Sequence, residues 1–166
     1  MEENQIITIT PENSTFSGHE LVIIPSDPKF SPTDNQITEC LHYLKEKYPE
    51  NSIESVKSKN AAFIDSGQNL ETISCNLCGK EMETEFWQEQ MSNSFNNSNF
   101  NDLDFVTDCC KKKTNLNDLH YNGASGFSSY SLSINNAEPD EDLETLIAQT
   151  IGEILGTGVK VFWRHI

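Results

Sequence analysis

The chain predicts an α+β domain built on an antiparallel sheet, and three features of the sequence lead there. In the first half an amphipathic helical stretch (31–48) stands between strand-like runs at 21–25 and 52–59. In the second half the same happens again, with runs at 127–135 and 159–165 around a helical stretch at 140–156. The resulting order, β-α-β-β-α-β, is the split-βαβ or ferredoxin-like pattern, with two helices on one face of the sheet and the other face available. The third feature interrupts this frame: a long excursion bracketed by Cys75-Asn76-Leu77-Cys78-Gly79 and Cys109-Cys110. Residues 1–73 therefore supply the first half of the α+β domain, 74–122 an inserted lobe, and 123–166 the second half.

Taken in order, Ile6-Ile7-Thr8-Ile9-Thr10 is β-branched and stops at Pro11, a candidate edge strand. Leu21-Val22-Ile23-Ile24 is an unbroken apolar run, as a strand buried on both faces reads. Ser31 is the expected helix cap, with Pro32 at the first helical position and Asp34 at the third. Ile37, Leu41, Leu44 and Tyr48 then form one apolar stripe, and Pro49 ends it. Cys40, beside that stripe, reads as a small core hydrophobe. Ile53 and Val56 mark the next strand, and Ala61–Ile64 continues extended into a turn at Asp65-Ser66-Gly67.

Inside the excursion, Glu83–Met91 predicts a short helix anchored by Phe86, Trp87 and Met91. Ser92–Asn101 is rich in Asn and Ser and is expected to be mobile, because ordering it costs more entropy than its burial returns. Leu103–Thr107 is a strand-like run that delivers the second cysteine pair. With only a few aromatics and leucines in the lobe, a bound metal is expected to hold it together. From Phe127 to Asn135 the pattern alternates. Tyr130, Leu132 and Ile134 point one way and Ser129, Ser131 and Ser133 the other, predicting one wet face. Asp140, Glu141, Asp142 and Glu144 load the last helix's N-terminus with the charge its dipole favours. Leu143, Leu146, Ile147, Ile151, Ile154 and Leu155 form its apolar face, and Gly156 and Gly158 stop it.

With 166 residues and 36% hydrophobic content, the chain is one domain long enough to bury a core. Its formal net charge of −15 repels phosphate backbones and anionic lipid, which argues against nucleic acid and membrane surfaces and for a basic protein partner. The same charge also serves simply to keep a protein in solution. No run of 18 apolar residues exists to span a bilayer. The acidic start Met1-Glu2-Glu3 is unlike a signal peptide. The expected location is the cytoplasm, where thiols stay reduced.

Cys75, Cys78, Cys109 and Cys110 are the candidate metal ligands. Two thiolates on a Gly-ended turn can reach one ion, and a second pair completes a tetrahedral structural Zn2+ site. Adjacent cysteines are an unusual half-site, so His120 is a candidate replacement for one of them. A thioredoxin-like role for Cys75-x-x-Cys78 would need the motif at a helix N-terminus, against which Gly79 and the polar run after it argue. Iron fits four thiolates as well, zinc being the cellular default. Lys111, Lys112 and Lys113 either favour the neighbouring thiolates or form a solvated turn. A second polar cluster, Asn117, Asp118, His120 and Tyr121, reads as turn residues or as an acid–base site, though no nucleophile or phosphate loop accompanies it. Trp163, Arg164 and His165 line either a ligand surface or the core edge. His19 and His42 read as surface residues.

Several runs together resemble a family of uncharacterised bacterial proteins with a CxxC…CC zinc-ribbon-like insertion and a C-terminal WRH ending. They are Phe63-Ile64-Asp65-Ser66-Gly67, Glu71, Cys75-x-x-Cys78-Gly79, Cys109-Cys110, Asn115–Tyr121, Gly126-Phe127 and Val161-Phe162-Trp163-Arg164-His165. The resemblance covers the chain from about Leu21 onward and implies one continuous unit; it implies no activity. The chain departs from the family pattern at Asn76, where the family has Pro, and at Lys111, where it has Gly. The function expected from the residues is a zinc-stabilised protein-binding or adaptor module, with an immunity-type blocker of a basic toxin as one form. The alternative is a hydrolase or transferase using Asp118, His120 and Tyr121.

Overall fold

The structure is a computed structural model and describes residues 4–166. Among them the elements run β1 (Gln5–Ile9), β2 (His19–Pro25), α1 (Asp34–Lys47), β3 (Ile53–Ile64), β4 (Thr72–Ser74), α2 (Thr84–Ser98), β5 (Asp104–Val106), β6 (Lys113–Asn115), β7 (His120–Asn122), β8 (Gly126–Asn135), α3 (Glu141–Leu155) and β9 (Val159–His165). Five strands form one sheet in the order β1-β3-β8-β2-β9, and every neighbouring pair in it is antiparallel. The protein is α+β, as its sequence predicts. No helix among the described residues is long and apolar enough to cross a membrane.

The unbroken apolar run of β2 has its explanation in the packing. Leu21 and Ile23 join the core that contains the helices, while Val22 and Ile24 meet Phe162 and Ile64 in a smaller cluster. Alternation along a strand sends these pairs to opposite faces, so β2 is buried on both. Both α1, through Ile37, Cys40, Leu41 and Leu44, and α3, through Ile147, Ile151 and Leu155, contribute to the larger core. The Gln36 amide links them by donating to the Ile154 and Leu155 carbonyls at 3.3 and 3.2 Å. Tyr130, 1% exposed, keeps its hydroxyl satisfied in that core through Ser55 at 2.9 Å.

Several local expectations are corrected. Helix α1 is capped by Thr33 and not by Ser31. The Thr33 hydroxyl accepts from the Gln36 amide while the Gln36 side chain accepts from the Thr33 amide, a reciprocal pair that Ser31 cannot make from its position. Strand β3 continues past residue 59 to Ile64, because an irregularity between Lys57 and Ala62 resets the register and brings Phe63 opposite Phe127.

The helix expected to end at Met91 continues through the Asn/Ser-rich stretch to Ser98, giving a third helix. Asn99 stops it in the left-handed region (φ 53°), and the Ser94 hydroxyl, 2.6 Å from the Asp102 carbonyl, ties its last turn to the following loop. Phe95 and Phe100 then stack, with centroids 5.3 Å apart. The predicted wet face of β8 is closed at its start: Ser129 is buried, while Ser131 and Ser133 are half-buried. The Pro28–Phe30 segment lies against Ser129, whose amide and hydroxyl donate to the Pro28 and Phe30 carbonyls.

The outer edge of β9 is covered by the predicted turn at Asp65–Gly67. His165 donates its amide to Ser66, and Gln68 donates to the His165 carbonyl. Gly67 (φ +63°) sits so close that a Cβ there would fall 2.1 Å from the His165 oxygen. Arg164, beside this loop, pairs with Glu20 at 3.2 Å, and the Trp163 indole donates to Glu144 at 2.9 Å. These side chains have structural partners in the frame.

Candidate metal centre

Strand β4 runs into Cys75, the chain turns through 76–78, and Gly79 reverses it at φ +78°. The Cys75 amide donates to the Lys80 carbonyl (2.9 Å) and the Gly79 amide to the Cys75 carbonyl (3.0 Å). Strand β5 repeats this plan. It runs into Thr107, the chain turns through 108–110, Lys111 reverses it at φ +57°, and the Thr107 amide donates to the Lys112 carbonyl at 3.0 Å. The two hydrogen-bonded loops correspond residue for residue: Cys75 with Thr107, Leu77 with Cys109, Cys78 with Cys110, Gly79 with Lys111.

This correspondence explains the adjacent cysteines. The second knuckle carries a hydroxyl where the first carries a thiol, and the missing sulfur comes from Cys109, out of the turn itself. Thr107 still holds the knuckle together. Its hydroxyl lies 3.1 Å from the Cys110 sulfur and accepts from the Lys112 amide at 3.3 Å. The knuckles are joined where the Thr114 hydroxyl donates to the Asn76 side chain at 2.7 Å. Sequence inspection missed Thr107. The signal was present in the parallel between Cys75-Asn76-Leu77-Cys78-Gly79-Lys80 and Thr107-Asp108-Cys109-Cys110-Lys111-Lys112.

The four sulfurs of Cys75, Cys78, Cys109 and Cys110 all lie within 4.8 Å of one another. Cys75 and Cys110 are 3.9 Å apart, Cys78 and Cys109 3.4 Å. Four sulfurs at about 2.3 Å from one tetrahedral ion would be about 3.8 Å from each other. The cluster can therefore hold a metal ion with small adjustments. Burial of Cys75 works against its thiolate, but hydrogen bonds from the Cys78 and Leu77 amides and the neighbouring thiols outweigh it and bring the group down to about 7. Cys109 is pushed up to about 11 by burial and by its contacts with Cys78 and Cys75. Cys40 lies far from this chemistry, fully buried in the core with α1, and burial raises its thiol to about 12.

His120 is not part of the cluster. It is exposed on β7, opposite Ser74 of β4. Nor do Asp118, His120 and Tyr121 converge. Tyr121 turns inward, its hydroxyl donating to the Leu116 carbonyl (2.6 Å) and accepting from the Trp87 indole (3.3 Å), and burial raises its pKa. Adjacent strand residues point to opposite faces, which leaves His120 outside with Asp118, also exposed. Asn117 is a buried positioning group: its side-chain oxygen accepts from the Phe127 amide at 2.8 Å.

The lobe also has an apolar core of its own, contrary to the expectation that metal alone holds it. Ile73, Met82, Leu103, Phe105, Leu116 and Leu119 are buried with Phe127, and Phe63, Phe86, Trp87, Met91, Phe100 and Tyr121 pack around them. The residues nearest the sulfurs are outside this cluster. Leu77 and Val106 are exposed, and Cys78 is exposed while Cys109 and Cys110 are half-buried.

One prediction arises at Lys111. A side chain in the left-handed region costs about 1–2 kcal/mol. Glycine removes that strain but adds unfolded-state entropy of about 0.4–1 kcal/mol. Lys111→Gly should therefore raise stability by up to about 1 kcal/mol, read as a higher denaturation midpoint with an unchanged m-value; a loss of stability would show that the lysine ammonium matters to the thiolates. Comparison with protein-family models, curated proteins and solved structures finds no match to this chain.

Proposed function

We propose that the chain is a zinc-stabilised binding module for a protein partner with a basic face. The observation that carries this reading is the closure of the four thiols on one point. A catalytic zinc keeps a position open for water and uses three protein ligands, whereas four sulfurs fill the sphere and make the ion a structural cross-link. Zinc is proposed over iron because it is the ordinary occupant of such sites. The lobe is then a zinc-ribbon-like insertion. The frame is proposed to be the split-βαβ type, which the strand order β3-β8-β2-β9 and the shared core of α1 and α3 support.

The basic partner is supported by the net charge of −15. A cleft of about 600 Å³ where the β2–α1 loop meets the lobe carries Asp27, Asp102, Asp104 and Asp118, with Lys29 beside them. Asp104 is already paired with Lys113 at 3.3 Å, so a Lys or Arg side chain entering the cleft would meet chiefly Asp27, Asp102 and Asp118. A cytoplasmic immunity-type protein that blocks a basic toxin is one form of this function. If the charge does the recognition, recovery of the partner in a pull-down should fall steeply as salt rises past physiological strength, because the screening length shortens from about 8 Å to about 3 Å at 1 M. A partner held equally well at molar salt would place the affinity in apolar contacts such as Leu77 and Val106.

A further inference from the structure

Resting on the four-thiolate metal site proposed above, we propose that Cys78 and Cys109 form a hydroperoxide-reactive dithiol whose closure to a disulfide ejects the metal. The four sulfurs divide into two unlike pairs. Cys75 is fully buried and its sulfur accepts from the Leu77 amide at 3.3 Å; its partner Cys110 lies 3.9 Å away, with the Thr107 hydroxyl 3.1 Å from the sulfur. Cys78 is exposed and Cys109 half-buried, and their sulfurs are only 3.4 Å apart. An oxidant from solvent meets the second pair first, and thiol oxidation follows access.

The asymmetry has its origin in the sequence. In the first knuckle the position of Cys109 is held by Leu77, a side chain exposed to solvent. Moving a ligand from the buried Thr107 position to the turn replaces a fully buried sulfur with the half-buried one of Cys109, beside the exposed Cys78; Cys110 is half-buried as well, so the protected member of the other pair is Cys75. A knuckle with its cysteine at 107 would have kept that sulfur inside.

The chemistry balances. The Cys78 thiolate attacks one oxygen of hydrogen peroxide; an S–O bond forms, the O–O bond breaks, and hydroxide leaves. The Cys109 thiolate then attacks the sulfenic sulfur; the S–S bond forms and the second hydroxide leaves. Two electrons pass from the two sulfurs to the peroxide, and two protons from solvent complete two waters. Around a tetrahedral ion the two sulfurs start about 3.8 Å apart and close to about 2.05 Å. The ion loses two of four ligands, and the Cys75–Cys110 pair alone does not retain it against a chelator.

The test uses the full, zinc-loaded chain with one equivalent of hydrogen peroxide and no reductant. A chromophoric chelator reads released zinc, and peptide mass spectrometry after alkylation maps the linkages. The expected result is one zinc released for each Cys78–Cys109 linkage, reversed by dithiothreitol and added zinc, with Cys40→Ser behaving as the parent. Zinc release with Cys75–Cys110 as the first linkage, or sulfinic and sulfonic acids without a linkage, would overturn the proposal and leave the metal site standing. A reduced chain that binds no metal would overturn both.

Discussion

Chelation of the metal should strip amide protection from the two knuckles, residues 75–81 and 107–113, and leave the five-stranded frame protected. A structural zinc contributes of order 10 kcal/mol of apparent binding energy in small peptides, comparable to the whole stability of a typical domain. What it holds here is limited by the packing. The knuckle tips have few apolar contacts, with Leu77 and Val106 exposed, while α2 and the aromatic cluster around Phe63 and Phe127 lie outside the thiol site. Hydrogen exchange should therefore rise first around the cysteines and later, if at all, in α2. Cys75→Ser and Cys109→Ser should reproduce the chelated pattern. Cys40→Ser should not; it buries a hydroxyl in an apolar site at about 1–3 kcal/mol and leaves metal content unchanged. Loss of the whole sheet on chelation would show that the metal organises the frame as well.

Phe127→Ala should be the most damaging single substitution among the apolar residues that join lobe and frame, at about 3–5 kcal/mol. Phe127 is 0% exposed on β8, and its ring meets Phe63 at 5.1 Å and Phe100 at 5.2 Å between centroids. It thus contacts β3 of the frame and the loop after α2 at once. Truncation opens a cavity between rings that are fixed by strand pairing and by the helix α2 stop, and they cannot close in. Urea denaturation should show the lowered midpoint, and near-ultraviolet circular dichroism should lose the aromatic signal. A cost below about 1 kcal/mol, the range of substitutions outside the core, would show that the lobe hangs on the frame by something else.

Much of the frame could be read from residues because its patterns are local. The apolar run of β2, the stripes of α1 and α3 and the acidic start of α3 each report directly on burial or dipole. What could not be read depends on contacts distant in sequence. The runs on either side of the polar stretch Lys57-Ser58-Lys59-Asn60 both read as extended, but that they form one strand depends on β8, which pairs with Ile53–Lys57 and, across an irregularity, with Ala62–Ile64. Asn and Ser in 92–98 argue against a helix by propensity, and the tie from Ser94 to Asp102 together with the Phe100–Phe127 contact overrides them. Ser129 looks like a wet residue because the segment that buries it is Pro28–Phe30, about a hundred positions earlier.

The metal site shows the same division. The four candidate ligands are visible as cysteines, and the turn after Cys78 is visible in Gly79. The second knuckle was hidden because its two most telling positions carry Thr107 and Lys111 in place of Cys and Gly. The backbone, with the amide of Thr107 on Lys112 and a left-handed Lys111, turns the faint sequence parallel into a plain equivalence.

The most direct test is elemental analysis of the full chain purified without chelator, paired with counting of thiols that react under native conditions. The account predicts one zinc per chain, with the buried thiol of Cys75 becoming reactive only as zinc is withdrawn. Metal-free protein whose amides at Cys75–Lys80 and Thr107–Lys112 are nonetheless protected would contradict it.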